Sequence, residues 1–216
     1  LKETLLNLEL KNSLNTQANP KMWINGPNKF RRTFRATIAN AISSKVQTKF
    51  NEYNFRTTST GYGFFGISSF DYFQTTTDWT LEAWIYLTGS GDRFFAFNTE
   101  GSGANSLLFG RTNAYIGSTT YTYTEAFALN QWQHFAATFN ATTNDLRVYK
   151  NGKQVRQRTT AVRITDDVLG IGTEFDAANA GSAGNYQNGY YENIQFFDFI
   201  KYTEEFRPPY KTQGPY

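Results

Sequence analysis

In WTLEAWIYL, residues 79–87, apolar Leu81, Ala83, Ile85 and Leu87 alternate with Thr80, Glu82, Trp84 and Tyr86. A period of two places the first set on one face of a β-strand and the second on the other. Wound as a helix, the same residues would be scattered around the axis, so this stretch reads as a strand with one core-facing side. Similar runs follow: DRFFAFN, SLLFGR, NAYIGSTTYTYTEAF, QWQHFAATFN, DLRVYKN, VLGIGT and YYENIQFFDFI. Gly- and Ser-rich stretches such as TEGSGANS and FDAANAGSAGNYQNG separate them. Asn151-Gly152, between LRVYK and KQVRQR, is a two-residue hairpin signal, because both central residues of a type I′ turn need positive φ. Many short strands with turn signals between them predict an all-β chain: an antiparallel two-sheet β-sandwich or jelly roll.

The first 50 residues carry weaker signals. TLLNLEL is consistent with a first strand, and ANPKMWINGPN is rich in turn residues. FRRTFRATIANAISS fits either a short amphipathic helix or two strands. No internal repeat or domain boundary is visible, so residues 1–216 are expected to form one sandwich domain, with 1–45 as an N-terminal extension or docking segment.

Composition removes several function classes. With no cysteine, the chain has no disulfide framework, thiolate metal site or cysteine nucleophile. The absence fits the cytosol, and equally a protein made inside a cell and later exposed, such as a virion component. No apolar run approaches the roughly 20 residues of a membrane-spanning helix. The start, Leu1-Lys2-Glu3, is expected to carry no secretion signal. Net charge is only +3, so the basic residues matter locally: Lys29, Arg31, Arg32 and Arg35, then Lys150, Lys153, Arg156 and Arg158. Neither cluster is accompanied by a nucleic-acid-binding motif, and no nucleic-acid partner is expected.

Four stretches in this order resemble the laminin-G-like branch of the concanavalin A-like lectin/glucanase superfamily: DWTLEAWIYL, QWQHFAATF, LRVYKNGK, and LGIGT followed by GYYENIQFFDF. Each alone is an ordinary strand or hairpin; the ordered set spans roughly residues 45–200 and carries the resemblance. It implies two antiparallel sheets packed face to face, one curved to give a concave face. The closing YTEEFRPP, residues 202–209, resembles the end of laminin-G-like domains in phage structural proteins. Glu192 and Tyr191 depart from the family pattern, which usually has Asp and then Ile or Met there.

His134 is the single histidine. Alternation puts Phe135, Ala137 and Phe139 on the core face, and Trp132, His134, Ala136 and Thr138 opposite. If the two strands are neighbours, as the resemblance implies, Glu82 and His134 form a structural polar pair joined by a hydrogen bond. A glycosidase needs two carboxylates flanking the scissile bond, and glucanases of this superfamily carry two Glu close together on one strand. TLEAWIY supplies one, with Trp84 and Tyr86 at the next same-face positions. Asp145, Asp166, Asp167 and Glu192 lie elsewhere, and no GxSxG nucleophile elbow exists. A catalytic site is therefore not expected.

Calcium is known in laminin-G-like domains, and Asn144, Asp145, Asp166, Asp167, Glu174 and Asp176 offer loop oxygens. They read more simply as turn formers and surface charges, so neither a metal nor another cofactor is expected. Aromatic residues, 18% of the chain, suit a saccharide surface: Trp84, Tyr86, Tyr115, Tyr121 and Tyr123 are the candidate ligand-binding residues. Trp23, Phe30, Arg31, Arg32, Phe34 and Arg35 have the aromatic-plus-arginine composition of interfaces. Together these readings predict a non-enzymatic virion structural or adhesion protein, such as a phage tail fibre, spike or capsid-decoration domain. Its expected partners are other virion proteins or its own copies, and a cell-surface glycan; its expected location is the particle surface. A free-standing carbohydrate-binding module is the alternative.

Overall fold

The computed structural model describes residues 4–8, 22–23, 34–39, 42–44, 46–50, 54–58, 62–67, 78–89, 91, 93–97, 107–160, 168–172, 174–176, 182–184, 186–197 and 199–209. These residues form strands, turns and bends, with no helix among them.

One sheet runs in the order β14 (Lys153–Thr159), β13 (Asp145–Lys150), β12 (Trp132–Asn140), β7 (Trp79–Leu87), β18 (Gly189–Phe197), β1 (Thr4–Leu8) and β2 (Met22–Trp23). In the same sheet, β5 (Asn54–Thr57) also pairs with β18, and β4 (Ile42–Ser44) with β5. The second sheet runs β11 (Thr119–Thr122), β10 (Asn113–Ile116), β9 (Leu107–Phe109), β8 (Phe95–Phe97), β15 (Val168–Ile171), β6 (Tyr62–Ile67) and β3 (Phe34–Ala39). A small hairpin joins β16 (Glu174–Asp176) to β17 (Ser182–Gly184). Neighbouring strands are antiparallel throughout, as expected for a sandwich.

FRRTFRATIANAISS resolves into strands at Phe34–Ala39 and Ile42–Ser44, with no helix among its described residues. Residues 1–45 are expected as an N-terminal extension or docking segment of the sandwich, with TLLNLEL as a candidate first strand. Among the described residues of that stretch, β1 pairs with β18, β3 with β6 and β4 with β5, so their backbone belongs to the two sheets. Trp23, Phe34 and Arg35 lie on β2 and β3, the outermost strands of their sheets. Phe30, Arg31 and Arg32 fall outside the described residues.

The core follows the alternation. Leu81, Ala83, Ile85 and Leu87 are 0% exposed, and Phe135, Ala137 and Phe139 lie with them between the sheets. The filling is aromatic. Phe135 meets Phe94, Phe109 and Phe95 at centroid distances of 5.0, 5.1 and 5.4 Å. Trp79 packs against Phe196 and Phe139 at 5.8 and 5.9 Å. Tilted and edge-to-face ring pairs add to the area effect. What the alternation does not anticipate is the opposite face: Ala136, His134 and Thr138 are also only 0%, 1% and 2% exposed. Toward Trp84, Tyr86 and Trp132 the same outer face is only half-buried.

Candidate binding site

The cover on that outer face is the chain's own closing segment, residues 199–209. Thr80 Oγ1 donates to the Phe199 carbonyl at 2.7 Å and accepts from Lys201 N at 2.9 Å, which fixes the segment where it crosses β7. Lys201 Nζ then donates to Glu82 Oε1 at 2.5 Å, and the Tyr202 hydroxyl to Oε2 at 2.6 Å. Tyr202 stacks parallel on Phe206 at 3.5 Å. Phe206 also meets Tyr149 at 5.3 Å and His134 at 5.7 Å, both edge-on. Arg147 Nη1 donates to the Thr203 carbonyl, and Trp84 Nε1 to that of Pro209 at 3.2 Å. The segment thus forms a strap across β7, β12 and β13.

The strap is anchored on the Asn151-Gly152 turn. Both residues have positive φ, 51° and 81°, as the hairpin signal requires. Phe206 N donates to the Gly152 carbonyl at 2.9 Å. A Cβ at position 152 would lie 1.7 Å from the Phe206 carbonyl oxygen, so glycine is needed for the close approach as well as for the turn. Asn151 also ties the hairpin to His134: its Oδ1 accepts from His134 N, and its N donates to His134 O, both at 2.8 Å.

The expected hydrogen bond between Glu82 and His134 does not form. Across the β7–β12 ladder Glu82 faces Ala136, and His134 faces Trp84, which makes the two residues diagonal. Nε2 stands 3.7 Å from Glu82 Oε2, whose oxygens already serve Lys201 and Tyr202. The imidazole lies edge-on between Trp84 and Phe206, and its Nδ1 has no hydrogen-bond partner among the described residues. Burial, aided by the Lys201 charge, pushes its pKa from 6.5 down to about 3. His134 is therefore neutral at physiological pH, a ring packed within the scaffold. Burial and the neighbouring Glu82 charge push the Tyr202 hydroxyl up, which keeps it a donor.

The second carboxylate of this face is Glu192 on β18. It is 3% exposed and accepts from Lys49 N at 2.6 Å and Phe50 N at 2.9 Å. Those bonds hold Lys49 and Phe50 over Trp84: the Phe50 ring is 5.3 Å away, and Lys49 Nζ sits 4.2 Å from the indole. Strap and loop flank Trp84, which stays half-buried between them. Of the candidate ligand-binding aromatics, Tyr123 alone is corrected: it is 6% exposed and belongs to the core, against Phe127.

The remaining three aromatics are also half-buried and lie apart. Tyr86 forms a cross-strand row with Trp132 at 5.7 Å and Tyr190 at 5.9 Å, and Arg56 stands over Tyr190. Tyr115 lies beneath the Arg93 guanidinium, 3.7 Å from its centroid. Tyr121 sits at the sandwich edge beside Arg156 and Arg158. Among the described residues, no three His, Cys, Asp or Glu side chains gather as a metal group. Asp145 accepts from Arg147 Nε at 2.7 Å and from Gln157 Nε2 at 3.0 Å, and Asn144 holds a turn with φ of 54°. Glu174 and Asp176 lie on β16, and Asp166 and Asp167 fall outside the described residues. Sequence reasoning missed Lys201, Tyr202 and Phe206 as the cover. The only signal was the aromatic pair at 202 and 206 ahead of Pro208-Pro209.

A two-sheet sandwich carrying this strand order can be compared with known proteins. The laminin-G family model described as the concanavalin A-like lectin/glucanases superfamily matches residues 58–202. The chain belongs to that superfamily. The match ends within the strap, at the residue that donates to Glu82. No curated protein matches the chain in sequence. Among solved structures, the botulinum neurotoxin serotype D binding domain is similar at 12% identity with a TM-score of 0.60, over 94% of this chain and 50% of that one. The binding domain of botulinum neurotoxin DC in complex with rat synaptotagmin II gives 10%, 0.59, 91% and 48%. Botulinum neurotoxin type C, whose cell entry is dependent upon interaction with two ganglioside molecules, gives 9%, 0.57, 91% and 48%. The chain thus spans about half the length of these domains. At such identities the likeness shows the fold alone.

Proposed function

We propose that this lectin-type sandwich is a non-catalytic binding module that recognises a glycan at a cell surface. The observation that carries the reading is the state of Glu82. It is the acid that the superfamily resemblance places on the strand where glucanases carry a pair, and here it is 2% exposed with both oxygens bonded to the strap. Glycoside hydrolysis needs one carboxyl group to protonate the leaving oxygen and a second to attack or to activate water. Both oxygens of the buried Glu82 are bonded to the strap, and Glu192 accepts from two backbone amides of its own chain. The binding-domain character of the structural neighbours supports the same direction.

The finer reading is an adhesion or structural domain of a virion, presented in many copies so that weak contacts add up by avidity. The resemblance of YTEEFRPP to phage structural proteins supports it, as does the position of Trp23, Phe34 and Arg35 on strands that end their sheets among the described residues, where a neighbour could pair. The test combines a polysaccharide hydrolysis panel with a glycan array probed by a multimerised domain. Glycan binding without turnover is expected, in the wild type and in Glu82→Gln alike. Turnover abolished by Glu82→Gln would sink the reading. Detection of the chain in purified particles tests the finer part.

A further inference from the structure

The sandwich edge where β11 of one sheet meets β14 of the other holds two cations, Arg156 and Arg158, without a counter-ion among the described residues. The sheets are stitched there by Thr124 N donating to the Val155 carbonyl at 2.9 Å. Arg156 and Arg158 are two residues apart on β14 and so share a face. Both reach the Tyr121 ring of β11, with guanidinium carbons 5.5 and 5.3 Å from its centroid. Arg156 Nη1 donates to the Thr122 carbonyl at 3.1 Å, which fixes the group, and its Nε has no hydrogen-bond partner among the described residues. The nearby acids are engaged elsewhere, Asp145 by Arg147 and Gln157, and Glu125 by Lys150. Two like charges held against one ring and left unpaired are relieved by an anion.

A guanidinium fork matches the two oxygens of a carboxylate or sulfate. The surroundings narrow the anion's carrier. Thr119, two residues before Tyr121 on the same face of β11, is exposed and offers a neutral hydroxyl group. A polyphosphate or nucleic-acid track needs a line of cations, whereas this edge offers two charges set in neutral donors and acceptors.

We infer that Tyr121, Arg156 and Arg158 form a binding site for an acidic saccharide, in which one carboxylate or sulfate meets the two guanidiniums and a neighbouring sugar hydroxyl meets Thr119. The inference names the ligand class of the binding-module reading and rests on it. The test is titration calorimetry of the full chain with a sialylated trisaccharide, a sulfated hexasaccharide, their neutral parents, and single-stranded DNA of matched charge. At least one acidic saccharide is expected to bind, weakening as salt rises, and its identity separates a carboxylate source from a sulfate source. Arg158→Gln, at an exposed position, should keep the melting temperature and weaken binding by about tenfold, and Arg158→Glu by more. Undiminished binding by a folded Arg158→Gln variant overturns the inference, as does tighter binding of the DNA. Binding of neutral saccharides alone overturns it and leaves the binding-module reading standing. Hydrolysis of the panel without binding overturns both.

Discussion

Because His134 is the only histidine, its titration can be read without assignment, and the fold dictates an unusual one. The imidazole is 1% exposed. The charged groups near it are Glu82, 3.7 Å from Nε2, and Lys201, which neutralises that carboxylate from the other side. Burial dominates, and the folded pKa falls from 6.5 to about 3. The sign follows directly. As pH drops below 6.5 the unfolded chain takes up a proton that the folded chain refuses, so stability falls with pH from there down to about 3 and levels off below. At pH 5 the unfolded state gains RT ln(1 + 10^1.5), about 2 kcal/mol relative to pH 8, while the folded state gains almost nothing. Urea denaturation of the wild type and of His134→Gln across this range isolates the effect, since carboxylate contributions common to both proteins cancel in the difference. The wild type should lose about 2 kcal/mol relative to the variant between pH 8 and pH 5. Proton NMR of the folded protein supplies a second reading. An imidazole titrating near its ordinary value, or a stability gap unchanged with pH, would refute the argument that burial holds His134 neutral.

Four further substitutions test the fold that supports the site. Gly152→Ala meets a left-handed conformation, costing about 1–2 kcal/mol, and loosens the bond from Phe206 N, worth about 1 kcal/mol; the midpoint of urea unfolding should fall and protease cleavage within residues 199–209 should rise. Ile85→Ala and Phe135→Ala should each cost about 2–5 kcal/mol by leaving cavities between the sheets, whereas Tyr121→Ala at the half-exposed edge should cost much less; equal losses at all three positions would contradict the assignment of faces.

Strand identity was legible because it is local. Leu81 to Leu87 and Phe135 to Phe139 declare their inward faces by period alone, and Asn151-Gly152 declares its turn by the only backbone geometry that the pair favours. The two-sheet architecture was legible for the same reason, since strands with one apolar face must bury it against another such face. Residues 34–44 were ambiguous because FRRTFRATIANAISS matches both periods, and pairing with β6 and β5 decided for strands. The site was less legible. Polarity alternates along QWQHFAATF, but whether the polar face is wet depends on what lies over it. That cover comes from Lys201 and Tyr202, 119 and 120 residues beyond Glu82, and no local pattern carries a contact so distant. Likewise, Arg156 and Arg158 read as an ordinary basic stretch, and Tyr121 as one tyrosine among many, until the edges of two sheets bring them together. The amino-acid order determined which side chains share a face of a strand, through backbone geometry that each residue senses only from its neighbours. Which of those faces is sealed, and which charges are left without partners, was decided by long-range packing, because burial and pairing belong to groups that meet only after the chain has closed on itself.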